Sequence, residues 1–90
     1  PPDLVLIVED DAAVREMAVA MVESLGYRVH AVGDGHAALE ALDRIGDIAI
    51  LLTDVVLPRG LRGPDIVRQA RLLRPGLAVA YMSGFAPELL

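Results

Sequence analysis

Three carboxylates stand at the ends of two apolar runs. Glu9 and Asp10 follow the first run, and Asp54 closely follows a second run that begins at Ile48. An unpaired charge at the end of a buried strand lowers the stability of the fold, so a carboxylate in that place indicates a functional role. Pro58 prevents the second run from continuing as a central strand, because its nitrogen has no hydrogen to give to the ladder. We therefore expect Asp54 on a rigid strand end that faces a crevice.

The chemistry that these residues could perform depends on their meeting in one crevice. Three converging carboxylates repel one another, and a hard divalent cation removes that repulsion. Mg²⁺ is usually held by one or two carboxylates together with water. Ser83 follows a further apolar run and would add a hydroxyl that can donate and accept hydrogen bonds. Each feature alone is common at helix caps, turns and loops, but their combination predicts a magnesium site.

The segments between these residues alternate between strand and helix patterns. Strands are predicted over 4–8, 27–32, 48–53 and 77–82. Helices are predicted from the acidic cap at Asp10 or Asp11 to Gly26, over 35–45, and over about 64–73. The order βαβαβαβ, with crossovers long enough to be helical, predicts a parallel sheet with right-handed connections and helices on both faces. In such sheets ligands bind outside the carboxyl ends of the strands, where the strand order reverses.

Apolar spacing predicts which side of each helix is buried. The first helix should bury Val14, Met17, Ala18, Met21, Val22 and Leu25, with the two methionines as core filler. The second should bury Ala38, Leu39, Leu42 and Ile45, and the third Ile66 or Val67, Ala70 and Leu73. The arginines of the third helix (Arg68, Arg71 and Arg74) are expected on a solvated face, and His30 and His36 on the surface.

Composition limits the class of protein. Ninety residues with 54% hydrophobic content predict one well-buried domain. No apolar run approaches the ~20 residues of a membrane span, and no basic cluster predicts direct nucleic-acid binding at a net charge of −5. Cysteine is absent, which favours a reducing compartment weakly, and we expect a cytoplasmic domain with no membrane contact of its own.

Taken together, these motifs resemble the receiver domain of two-component response regulators. The residues that carry the resemblance are the segment 6–11, Asp34-Gly35, the segment 52–58, Gly63 and Met82-Ser83-Gly84. The resemblance extends over the whole chain and implies a flavodoxin-like doubly wound sheet in the order 2-1-3-4. The turn after Asp54 and the Ser-Gly-Phe after the fourth strand are most similar to bacterial receivers attached to hybrid sensor histidine kinases.

The resemblance also implies roles for individual residues. Asp54 matches the phosphoacceptor, which takes a phosphoryl group from a phosphohistidine of a histidine kinase or histidine phosphotransfer domain. Asp10 matches a direct Mg²⁺ ligand, Glu9 a ligand acting through water, and the Val56 carbonyl a backbone ligand. Ser83 matches the hydroxyl that binds the phosphoryl group, and the Val55 N–H is expected to help.

One departure from the family pattern is that all eight basic residues are Arg. Receivers carry a Lys at the end of a fifth strand, so the resemblance implies that 1–90 is a single receiver domain lacking its fifth strand, its last helix and most of the fourth helix. The fourth strand would then be an exposed edge, and exposed edges pair with other chains. Self-association through that strand is therefore expected.

Two other functions remain open at the level of sequence. A phosphorylation-independent interaction module would fit the missing Lys, although the acidic residues, Asp54 and Ser83 disfavour it. A Mg²⁺-dependent phosphatase with an aspartyl nucleophile is a weaker alternative. Such enzymes carry an Asp-x-Asp motif, whose second Asp would be at position 56, and residue 56 is Val. For a receiver domain, the resemblance implies catalysis of its own phosphorylation and dephosphorylation.

Overall fold

Within the part of the chain that the structure describes, the sheet has four parallel strands, and the predicted carboxylates lie at its carboxyl edge. In a computed structural model, which describes residues 2–55, 57 and 62–82, the elements follow the predicted alternation. The strands are β1 (Leu4–Val8), β2 (Arg28–Val32), β3 (Ile48–Asp54) and β4 (Ala78–Met82). The helices are α1 (Ala12–Ser24), α2 (Gly35–Arg44) and α3 (Gly63–Leu73). Their order in the sheet is β2-β1-β3-β4, which confirms the predicted doubly wound fold.

The reversal of strand order lies between β1 and β3. From β1 the chain moves to β2 on one side, then returns past β1 to β3 and β4 on the other. With right-handed crossovers, this reversal puts α1 on one face of the sheet and α2 and α3 on the opposite face. The carboxyl ends of β1 and β3 are therefore adjacent at the point where a crevice opens.

The core lies mainly between the sheet and the pair α2 and α3. The even-numbered residues of β1 point into it, with Leu6 and Val8 fully buried. The core cluster contains Leu4, Leu6, Val8, Ala38, Ala41, Leu42, Ile48, Leu51, Leu57, Ile66, Ala70 and Leu77. Val5 and Ile7, also buried, alternate to the face on which α1 packs. All five residues of β1 are buried, as expected for an inner strand of a parallel sheet.

Local sequence explains where the helices begin and end. The Asp11 side chain accepts a hydrogen bond from the Val14 N–H, and Asp34 accepts one from the Ala37 N–H, so both aspartates are helix N-caps. After α1, Gly26 adopts φ 98°, the left-handed conformation that glycine tolerates best.

The prediction for the buried face of α1 is wrong for four of its six residues, which are exposed: Val14, Met17, Met21 and Leu25. Met17 and Met21 are each 65% exposed and Leu25 is 74% exposed, whereas Ala18 and Val22 are half-buried. Apolar residues occupy two faces of this helix, and only the face with Ala18 and Val22 is turned toward β1 and β2. Within the described part of the chain, no element covers the face that carries the methionines.

Three smaller predictions also require correction. Leu73, at the end of α3, is 48% exposed, and Leu77 four residues later takes a buried position. Arg74 is not on a solvated face. Its guanidinium donates to the carbonyls of Leu42 (3.0 Å), Ile48 (3.2 Å) and Ile45, so it satisfies carbonyls at and beyond the end of α2. His36 is exposed as predicted, but His30 is half-buried on β2.

Candidate functional site

Strand register brings the predicted carboxylates together. Val8 pairs with Thr53 across β1 and β3, so Glu9 and Asp10 leave β1 beside the end of β3, where Asp54 lies. Carboxylate oxygens of Glu9, Asp10 and Asp54 all lie within 4.8 Å of one another. The three differ in burial: Glu9 is buried, Asp54 is half-buried and Asp10 is exposed. The sequence therefore identified the members of this cluster correctly.

The electrostatics of the cluster are concentrated on Glu9. Burial raises the pKa of Glu9 to about 7, helped by its hydrogen bond to Asp54 and by the negative charge of that carboxylate. The Asp11 N–H, which donates to Glu9 Oε1 at 3.1 Å, acts in the opposite direction. Without a cation, the cluster relieves part of its repulsion by keeping a proton on Glu9 near neutral pH.

The donor set fits Mg²⁺. All three groups offer carboxylate oxygens, the hard ligands this ion prefers, and they approach one another closely enough to require neutralisation. After burial, the neighbouring Asp54 carboxylate also raises the pKa of Glu9, and a bound cation would offset the negative charge of Asp54. Asp10, Asp54 and Glu9 are thus the described residues that could hold the ion, directly or through water.

The backbone at the end of β1 is held from two directions. The Glu9 N–H donates to the Val32 carbonyl at 3.1 Å, and Arg15 Nη1 donates to the Glu9 carbonyl at 2.8 Å. Arg15 comes from α1 and also lies against the β2–α2 turn, because a Cβ on Gly33 would be 3.3 Å from its Nη1. Arg15 therefore fixes the strand end from which Glu9 and Asp10 project, a role that the sequence analysis missed.

The backbone at the end of β3 is held equally closely. Thr53, a fully buried polar residue, donates from Oγ1 to the Asp54 carbonyl at 3.1 Å. The Gly63 N–H, at the start of α3, donates to the Val55 carbonyl at 3.3 Å. A polar residue inside an apolar run is the sequence signal that could have identified Thr53.

The remaining residues of the predicted site are Val55, Val56 and Ser83. The Val55 N–H donates to the Met82 carbonyl at 3.3 Å, so donating to a phosphoryl group would require it to exchange that bond. Val56 and Ser83, predicted as a metal ligand and a phosphoryl-binding hydroxyl, lie outside the described residues, as does the loop 58–61. Met82 pairs with Asp54 across β3 and β4, so β4 ends beside the carboxylate cluster.

Comparisons with known proteins agree on one family. The family model of the response regulator receiver domain matches residues 5–88. The chain is 38% identical over 85 residues to the sensor kinase CckA of Brucella abortus, covering 93% of the chain and 9% of that kinase. It is 36% identical over 67 residues to the DNA-binding response regulator MtrA of Mycobacterium tuberculosis, covering 74% of the chain and 28% of that regulator. The chain thus spans only a small part of these relatives.

Solved structures give the same result. The receiver domain of the hybrid histidine kinase CckA superposes with a TM-score of 0.80 at 35% identity, covering 91% of this chain and 76% of that one. A response regulator receiver protein from Sinorhizobium medicae superposes with a TM-score of 0.84 at 26% identity, covering 91% of this chain and 66% of the other. The predicted similarity to receivers of hybrid histidine kinases is confirmed by the two CckA matches. No described helix is long and apolar enough to cross a membrane.

Proposed function

This chain belongs to the family of response regulator receiver domains, and from that premise we propose that it accepts a phosphoryl group on Asp54. The observation that carries the proposal is the placement of Asp54 on the last position of β3, with oxygens of Glu9 and Asp10 within 4.8 Å. A carboxylate on a rigid strand end has the fixed geometry that a nucleophile requires.

In the proposed reaction, an Asp54 carboxylate oxygen attacks the phosphorus of a phosphohistidine. A phosphorus–oxygen bond forms, the phosphorus–nitrogen bond breaks, and the imidazole leaves as the product, which yields an aspartyl phosphate. Mg²⁺, when bound, neutralises charge on the carboxylates and on the phosphoryl oxygens. Glu9, Asp10 and the Val56 carbonyl are the proposed ligands beside Asp54, and Ser83 and the Val55 N–H are proposed to bind the phosphoryl group.

The proposed partner is the phosphohistidine of a sensor kinase or of a phosphotransfer domain. The similarity to CckA supports a receiver attached to a hybrid histidine kinase. We propose the cytoplasm as the place where it acts. We propose a conformational switch as the output, and no direct contact of residues 1–90 with nucleic acid or membrane. The alternative of a module that works without phosphorylation is disfavoured by the clustering of all three carboxylates.

The test is phosphorylation of the protein that carries this chain by acetyl phosphate or a phosphohistidine donor. We expect a base-labile product that requires Mg²⁺ and that mass spectrometry places on Asp54. Asp54→Ala should abolish it. Asp11→Ala is the matched control, because Asp11 caps α1 and its backbone N–H, which contacts Glu9, remains in the variant. Phosphate on Thr53 or Ser83, or incorporation that is unaffected by EDTA, would exclude this function.

A further inference from the structure

The peptide unit between Asp54 and Val55 is held by contacts that the proposed reaction does not explain. Its carbonyl oxygen, that of Asp54, accepts a hydrogen bond from Thr53 Oγ1 at 3.1 Å. Thr53 is fully buried, so bulk water cannot offer this hydroxyl an alternative hydrogen bond. Among the described residues no buried side-chain polar atom lacks a partner, so the pairing of this hydroxyl is complete.

Gly63 also lies against this carbonyl. A Cβ at that position would lie 3.0 Å from the Val55 Cα and closer still to the Asp54 carbonyl oxygen. The start of α3 therefore lies directly against the backbone of the proposed phosphoacceptor. The Gly63 N–H also donates to the Val55 carbonyl at 3.3 Å, which ties the next peptide to the same helix.

We propose that Thr53 is a positioning residue whose hydroxyl sets the orientation of the Asp54–Val55 peptide and, through it, the direction of the Asp54 carboxylate. The inference rests on the proposed function and adds a residue to it. The start of α3 holds the following peptide in place. The torsion about the Asp54 Cα–C bond therefore sets how the Cα, with its carboxylate, is turned relative to Glu9 and Asp10. Groups that orient a metal ligand without contacting the metal typically change affinity or activity about 10–100-fold when they are lost.

The experiment compares Thr53→Val, which keeps the branched shape and removes the hydroxyl, with Thr53→Ser, which keeps the hydroxyl. Leu51→Val is the matched control, because Leu51 is also fully buried, two residues earlier on β3, and has no contact of this kind with Asp54. Three quantities are measured on the folded proteins: the Asp54 carbonyl carbon shift by NMR in EDTA, the Kd for Mg²⁺ by calorimetry, and the rate of phosphorylation by acetyl phosphate at saturating Mg²⁺.

We expect Thr53→Val to move the carbonyl shift, to weaken Mg²⁺ binding about tenfold and to slow phosphorylation at least as much. Thr53→Ser and Leu51→Val should stay within about twofold of the wild type in Kd and rate, a much smaller change than that expected for Thr53→Val. A purely structural role would lower the melting temperature of Thr53→Val and Leu51→Val alike and leave Kd unchanged in both, which would overturn the inference. If the wild type itself neither bound Mg²⁺ nor became phosphorylated, the proposed function would fail, and the role of Thr53 with it.

Discussion

At the scale of single residues, the distinctive feature of the site is the raised pKa of the Glu9 carboxyl group. Glu9 is 3% exposed and shares its surroundings with Asp54, and these two facts raise its pKa to about 7. Its pKa in an unfolded chain is near the ordinary value of 4.5. Since the folded state binds the proton more tightly, the free energy of unfolding must depend on pH.

The first prediction follows from the sign of this shift. Between about pH 4.5 and 7 the folded protein holds a proton on Glu9 that the unfolded chain has lost, so raising the pH lowers stability across that interval. In EDTA, we expect the contribution of Glu9 to the melting temperature to fall as the pH rises through this range and then to level off. Glu9→Gln should remove this contribution, which thermal melts at several pH values would detect. A pH dependence identical in the two proteins would show that Glu9 titrates normally.

A second prediction concerns the charge of Asp54. Asp54→Asn removes the negative charge that opposes ionisation of Glu9, so the variant should melt at a higher temperature than the wild type in EDTA. Adding Mg²⁺ should stabilise the wild type more than the variant, because a ligand stabilises the folded state in proportion to its binding. Calorimetric melts with and without Mg²⁺ give both comparisons. Equal melting temperatures in EDTA would argue that the carboxylates do not interact.

At the scale of elements, the start of α3 is fixed against the end of β3. This contact requires a residue without a side chain, because a Cβ on Gly63 would overlap the Asp54 carbonyl. We predict that Gly63→Ala lowers the free energy of unfolding by about 1–3 kcal/mol, the usual range for overpacking. Gly46→Ala is the control, since a Cβ there would meet no atom within 4 Å and the backbone is not in the left-handed region. Urea unfolding curves that gave the same loss for both variants would contradict this account.

Arg74, directly after α3, joins the end of that helix to the end of α2. Arg74 donates to three carbonyls at and beyond the end of α2, where the last turn of a helix leaves carbonyls without partners. We predict that Arg74→Ala costs about 2 kcal/mol, in line with hydrogen bonds that involve a charged group. Arg71→Ala, on the exposed side of α3, should change stability by less than about 0.5 kcal/mol. Urea unfolding of the two variants measures the difference, and equal losses would mean that Arg74 is a surface residue after all.

At the scale of the whole molecule, β4 has a neighbouring strand on one side only within the described sheet. Ala78, Ala80 and Tyr81 on this strand are exposed, and a row of unpaired backbone groups on an apolar edge favours pairing with another chain. We predict that the ninety-residue chain self-associates, with an apparent mass in light scattering that rises with concentration. Ala80→Lys should shift the chain toward monomer, because a charge on an edge strand opposes pairing. A monomer at high concentration for the unsubstituted chain would refute this.

The resemblance to a known family supplied the strand order 2-1-3-4, whereas the amino-acid sequence by itself determined the order of the elements and the three clustered carboxylates. These follow from local signals: apolar runs of strand length, acidic residues at their ends, and Gly, Pro and Asp at turns. Parallel connections then force the carboxyl ends of β1 and β3 to the same edge, so that Glu9, Asp10 and Asp54 meet. The resemblance to a known family rests on these same residues.

The tertiary structure alone decided which side of a helix is buried and how the strand ends are held. Met17 and Met21 have the spacing of core residues, yet they are exposed, because an apolar stripe predicts burial only where another element packs on it. Arg74 and Thr53 look like an ordinary surface cation and an ordinary strand residue. The role of Arg74 arises from backbone carbonyls 26 to 32 residues away, which sequence spacing does not bring together. The role of Thr53 arises from the carbonyl of the next residue, Asp54, and from the burial of its hydroxyl in the folded chain. Hydrogen bonds to distant backbone groups depend on the three-dimensional path of the chain and not on the type of residue that owns the carbonyl, so the sequence pattern carries no signal for the role of Arg74.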